Sequence, residues 1–135
     1  MNGVRIAVAV LGVVFLIMGF WAWGAPLSLG TALGLEAKTG LGQASLRADL
    51  GAFFLTAGGF ATAAAALKRG SLLLTPLVLM ALALTGRLIT AGSAPFEGGM
   101  IVPILVEVVA VAVFGAGWAL LKGHSDPVPV PQAGS

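Results

Sequence analysis

Four apolar runs, at about residues 4–23, 48–67, 71–90 and 101–121, constrain this chain more than any other feature. Each is about 20 residues long, enough for a helix to cross a hydrocarbon core of about 30 Å. None shows the strict alternation of a membrane β-strand. The composition leaves little choice of solvent. Of 135 residues, 59% are apolar and 9% charged, where soluble domains carry roughly a quarter charged residues. One small domain cannot bury that much apolar surface in its own core, so lipid must cover the rest. The runs predict an all-α integral membrane protein: a four-transmembrane-helix antiparallel bundle forming a single domain over residues 1–122.

The connections refine this picture. Lys68-Arg69-Gly70 is too short to join anything but antiparallel neighbours, so the second and third runs form a hairpin. Pro76 falls either in a late first turn of the third helix or at a kink, and Pro103 suits the first turn of the fourth. The connection over residues 24–46 holds Pro26, Leu27, Leu29, Leu33 and Leu35 among small residues. Two readings stay open there: a short helix lying at the membrane surface with Ser28 as its cap, or a plain loop with a few buried leucines. Residues 123–135, rich in Pro and Val, read as a disordered cytoplasmic tail. The first run is longer than the core of a signal peptide and ends in Phe20, Trp21 and Trp23, which suit a membrane interface, so it reads as a retained helix.

Several function classes lose their chemistry. Cysteine is absent and His124, in the tail, is the only histidine, which removes disulfides, thiolate nucleophiles and the usual metal donors. A net charge of +2 with no basic run argues against nucleic-acid binding. No phosphate loop, nucleophile elbow or zinc motif occurs, and neither Ser45 nor Ser93 has a histidine to activate it. No cofactor is expected. Orientation follows from the basic residues: Arg5, Lys68, Arg69 and Lys122 fall on one side, Lys38 and Arg47 on the other. The excess places both termini in the cytoplasm and the connections 24–46 and 91–100 outside.

Charges inside the runs are the informative residues. Arg47 and Asp49 stand at the start of the second run, Arg87 near the end of the third and Glu107 well inside the fourth. Counting along the helices places Asp49, Arg87 and Glu107 within roughly 10 Å of one another in depth, towards the outer face. Each such charge costs roughly 2.5–3.5 kcal/mol at a helix centre, so a shared polar layer facing the bundle interior is expected. Two uses remain open. The layer can be ion pairs that set helix register. It can also be a pocket in which Arg47 and Arg87 hold an anionic head group while Asp49 or Glu107 accepts a hydrogen bond or carries a proton. Glu97, in the outer connection, is a rim charge in the second case and a solvated loop acid in the first.

Small residues recur at four-residue spacing in Ala57, Ala61 and Ala65, and again in Gly115 and Ala119. Such rows allow close helix approach within a chain or between copies in a homodimer. Phe53, Phe54, Phe60, Phe114 and Trp118 read as packing or lipid-facing residues, with an isoprenoid or acyl pocket as the other use.

Three segments carry a family likeness. Leu46-Arg47-Ala48-Asp49-Leu50-Gly51, Thr85-Gly86-Arg87-Leu88 and Val106-Glu107-Val108 resemble the Arg-x-Asp-x-Gly, Gly-Arg and fourth-helix acid signatures of a bacterial family of four-helix membrane proteins, domain of unknown function 4345. Gly51-Ala52 stands where that family usually has Gly-Gly, and Glu97-Gly98 matches its third-loop acid and Gly only loosely. The resemblance implies a bacterial inner membrane and an architecture similar to DoxX-like proteins, some of which accompany quinone-linked oxidoreductases. It carries no established activity. The expectation that results is a non-enzymatic accessory or scaffold subunit, or a binder of a lipid-like or quinone-like ligand. Its alternative is a dimeric small transporter or proton-coupled carrier using Glu107. A lipid enzyme working through Asp49 and Glu107 ranks last.

Overall fold

In the computed structural model, which describes residues 2–121 together with 131, 133 and 134, the chain builds five α-helices. These are α1 (Asn2–Gly24), α2 (Pro26–Ala32), α3 (Gly40–Leu67), α4 (Leu74–Ser93) and α5 (Ile101–Leu121). Short 3-10 turns over Gly70–Leu73 and Gly98–Met100 precede α4 and α5, and no strand occurs among the described residues. With those turns included, four helices are long and apolar enough to cross a membrane. The architecture is the expected all-α four-helix bundle of a multi-pass membrane protein. Lys122, His124 and most of the proline-rich tail lie outside the described residues.

The tightest contact is between α1 and α3. The buried residues of α1 are Val8, Gly12, Phe15, Gly19 and Ala22, spaced alternately four and three. On α3, Gly51, Phe54, Gly58, Ala61 and Ala65 follow the same rhythm. This is the heptad seam of a left-handed antiparallel pair, made here largely of Gly and Ala. Glycine is required where the backbones cross. A Cβ on Gly58 would sit 2.6 Å from the Leu16 nitrogen and 2.7 Å from the Gly12 carbonyl oxygen. A Cβ on Gly117 would meet Leu73 at 2.5 Å and Val8 at 2.9 Å, where α5 packs on α1 and on the 3-10 turn that precedes α4. The row Ala57, Ala61 and Ala65 is buried inside the chain against α1. Ala119 is exposed and Gly115 only grazes Leu77, so the closest approach of α5 belongs to Gly117 instead.

Phe15, Phe54 and Phe114 tie three helices together, with ring centroids 6.0 Å apart for the α1–α3 pair and 6.1 Å for α1–α5. Of the aromatic residues read from the sequence, Phe54 and Phe114 are core, Phe53 and Trp118 pack against it, and Phe60 faces outward. Phe20, Trp21 and Trp23 are exposed at the end of α1.

Several boundaries differ from the sequence reading. The second span begins at Gly40, not 48, because Thr39 caps it: the Thr39 hydroxyl accepts the Gly42 N–H at 3.1 Å. The added residues include Gln43, Ser45 and Arg47, polar groups suited to a helix emerging from hydrocarbon. The short helix of the long connection exists as α2, but Ser28 lies inside it and does not cap it. Ala25 is the N-cap and Pro26 opens the helix, where a missing N–H costs nothing. Pro76 and Pro103 each lie third in their helices, within the first turn, so neither kinks its span.

Candidate functional site

Two of the four membrane-level charges meet. Arg87 on α4 donates from Nε to Glu107 Oε1 on α5 at 2.7 Å. The Glu107 side chain is 10% exposed and that of Arg87 32%. Pairing across two antiparallel helices neutralises both charges and satisfies one carboxylate oxygen. The other oxygen, Oε2, is buried with no hydrogen-bond partner among the described residues. A buried acceptor left unmade costs about 1–3 kcal/mol, and more when it is charged.

Glu107 also lines a cleft of about 310 Å³, together with Ala83, Gly86, Arg87, Thr90 and Met100. Small residues keep it open. Gly86 has nothing within 4 Å of the place a Cβ would take. The Thr90 hydroxyl is spent on the Gly86 carbonyl at 3.2 Å. The cleft exists because α4 leaves the core early. Its buried residues are Pro76 and Met80, both in its first half, and its main helix neighbour is α5.

No family model, curated protein or solved structure matches this chain.

The other two charges stand apart. Arg47 is exposed and its Nε donates to the Trp23 carbonyl at 2.9 Å. That carbonyl belongs to the last turn of α1, where backbone oxygens lack partners within the helix. Arg5 does the same at the opposite end, donating to the Ala65 carbonyl of α3 at 2.7 Å. Each helix of the antiparallel pair thus caps the other with an arginine from its own first part. Asp49 is exposed, and its carboxylate makes no ion pair or hydrogen bond among the described residues. The four charges therefore do not form one network: the expected layer divides into a pair, Arg87 with Glu107, a cap, Arg47, and an outward carboxylate, Asp49. Glu97 is exposed in the α4–α5 connection, where its carbonyl accepts the Met100 N–H at 2.9 Å and so ties down a residue of the cleft wall.

Sequence reasoning passed over Arg5 as a structural residue and Gly86 as a wall of the cleft. The signal for Arg5 was available: an arginine three residues past the helix start, facing a helix that must end at the same level. Among the described residues no cluster of His, Cys, Asp or Glu could hold a metal ion.

Proposed function

We propose that the chain is a non-enzymatic small membrane protein that holds an amphipathic, lipid-like or quinone-like molecule by its polar head in the α4–α5 cleft, alone or as an accessory subunit of a larger assembly. The observation that carries this reading is Glu107, its Oε2 buried and unpartnered among the described residues, in the wall of a cleft that also holds the partly exposed Arg87 guanidinium. A head group with a hydroxyl or N–H would satisfy that oxygen, and the outer Arg87 nitrogens would receive a carbonyl or anionic oxygen. Exposed apolar residues next in sequence to the cleft's lining, Leu88 and Ile89 among them, would accompany the ligand's chain in lipid. A cleft of this volume is at the small end of ligand sites, which fits a head group and not a whole lipid.

The bacterial inner membrane, with both termini cytoplasmic, completes the proposal. Its support is the family resemblance and the gathering of Arg5, Lys68 and Arg69 at one end of the bundle. The same buried carboxylate supports a second reading, a dimeric carrier with Glu107 as its proton site. Purification from native membranes in mild detergent, followed by mass spectrometry of extracted small molecules, tests the first. The wild type should retain one amphiphile well above its abundance in bulk lipid, and Gly86→Leu, which fills the cleft, should lose it. Retention that merely mirrors bulk lipid, with no partner protein co-purifying, sinks both versions of the reading. In reconstituted vesicles, Glu107→Gln with flux intact removes the carrier.

A further inference from the structure

The opposite end of the bundle holds a second recess whose chemistry differs from the first. Between α1 and α3 a groove of about 510 Å³ opens beside Asn2, Arg5, Ile6, Ala9 and Ala66. Arg5 is the charged group in its wall. Its Nε is committed to the Ala65 carbonyl at 2.7 Å, which fixes the plane of the guanidinium. The two Nη groups have no partner among the described residues. They form a fork of donors held in place before any ligand arrives, the arrangement that suits a phosphate. Asn2, one turn earlier on α1, adds a side-chain amide at the same mouth.

The groove is graded along the bundle axis. Its polar residues, Asn2 and Arg5, lie at the helix end, and Ile6 and Ala9 follow one turn further in. Thr62 contributes wall only, because its hydroxyl is buried towards Gly12 of α1. A polar mouth over an apolar floor is the shape of a head group joined to an acyl chain.

Charge distribution names the sign. Lys68 and Arg69 close α3 at the end where Arg5 caps it. The carboxylates among the described residues are Glu36, Asp49, Glu97 and Glu107. Glu36 and Asp49 lie on the side of Arg47 and Trp23, Glu97 in the α4–α5 connection, and Glu107 is engaged by Arg87. Among the described residues no carboxylate pairs with Arg5 to neutralise it. The geometry points to this groove as a site for an anionic phospholipid, its phosphate on the Arg5 Nη groups and Asn2 and its chain along Ile6, Ala9 and Ala66. The site is separate from the α4–α5 cleft and does not depend on the reading given to that cleft.

The test uses the purified full-length protein, delipidated in detergent and titrated with phosphatidylglycerol, phosphatidylcholine of the same chains, and glycerol 3-phosphate, with binding read by native mass spectrometry. Phosphatidylglycerol should bind the wild type at least about fivefold more tightly than phosphatidylcholine, the factor one cation near an anionic lipid is worth. Arg5→Gln should abolish that preference, and Arg69→Gln, which removes a charge from the same end without touching the groove, should keep it. Ala66→Phe places bulk in the groove from an exposed position and leaves the Arg5 cap intact, so it should also abolish the preference with helicity unchanged. Equal binding of the two lipids overturns the proposal. So does a loss as large in Arg69→Gln as in Arg5→Gln, which assigns the effect to diffuse surface charge. Glycerol 3-phosphate binding as tightly as the lipid assigns the site to a free phosphate and overturns it as well.

Discussion

At the scale of single residues, the Arg87–Glu107 pair decides how the half of the α4–α5 hairpin nearest its connection behaves. The pair can be structural, functional or both, and stability measurements separate these. Removing Arg87 alone leaves a buried carboxylate with neither oxygen satisfied. Truncating one partner of a buried pair costs about 3–5 kcal/mol. Arg87 is about a third exposed, and solvent screening reduces the loss to roughly 1–3 kcal/mol. Arg87→Met should therefore lower the melting temperature in detergent clearly. The double variant Arg87→Met/Glu107→Met should recover most of it, because replacing both members with apolar residues of similar volume is often close to neutral. If the double variant is as unstable as the single, the pair contributes more than its own desolvation and the cleft reading weakens. Asp49 provides the contrast. It is exposed and makes no bond among the described residues, so Asp49→Asn should leave stability within about 0.5 kcal/mol of wild type.

At the scale of elements, the α1–α3 seam is where packing is least forgiving. Lipid tails are as apolar as leucine, so transmembrane helices associate through close packing and not through the hydrophobic effect. Glycines buried in the seam let main chains approach, and the atoms a Cβ on Gly58 would strike are backbone atoms that cannot swing aside. Gly58→Ala should cost about 1–3 kcal/mol, the range for overpacking a filled interior. Gly59, its neighbour, has nothing within 4 Å of a Cβ position. Gly59→Ala should be neutral or stabilising by a few tenths of a kcal/mol, since alanine is the better helix former. Resistance to unfolding in a denaturing detergent distinguishes the two, and equal sensitivity would contradict the seam. The reciprocal arginine caps act at the same scale. Favourable contacts between cations and helix C-termini contribute roughly 0.3–1 kcal/mol each.

At the scale of the whole molecule, the arrangement of ends is a prediction about topology. Arg5, Lys68 and Arg69 share one end, and Arg47 and Trp23 share the other. The chain has no cysteine, so single cysteines can be introduced on a silent background. In intact cells, a membrane-impermeant maleimide should label cysteine placed at Glu36 or Glu97 and should reach one placed at Arg69 only after permeabilisation. The reverse pattern would invert the protein and exchange the sides of the two recesses.

The sequence alone determined the number of long apolar helices and their approximate extent, because these depend on the length of apolar runs and on counting residues along a helix. The fourth span is Ile101–Leu121, the run expected, and the hairpin at Lys68-Arg69-Gly70 is present. Only tertiary structure decided which way each side chain points around its helix. In a soluble helix the apolar face marks the interior. Here lipid and core are equally apolar, so that signal vanishes, and the inward face of α1 is marked instead by Gly12 and Gly19. Asp49 shows the consequence: two residues, or about 200° of helix, separate it from the buried Gly51, and that turn carries it away from the partners its depth suggested. Position along a helix is a local property that a chain carries in its letters, whereas azimuth is fixed only when neighbouring helices choose a face to bury.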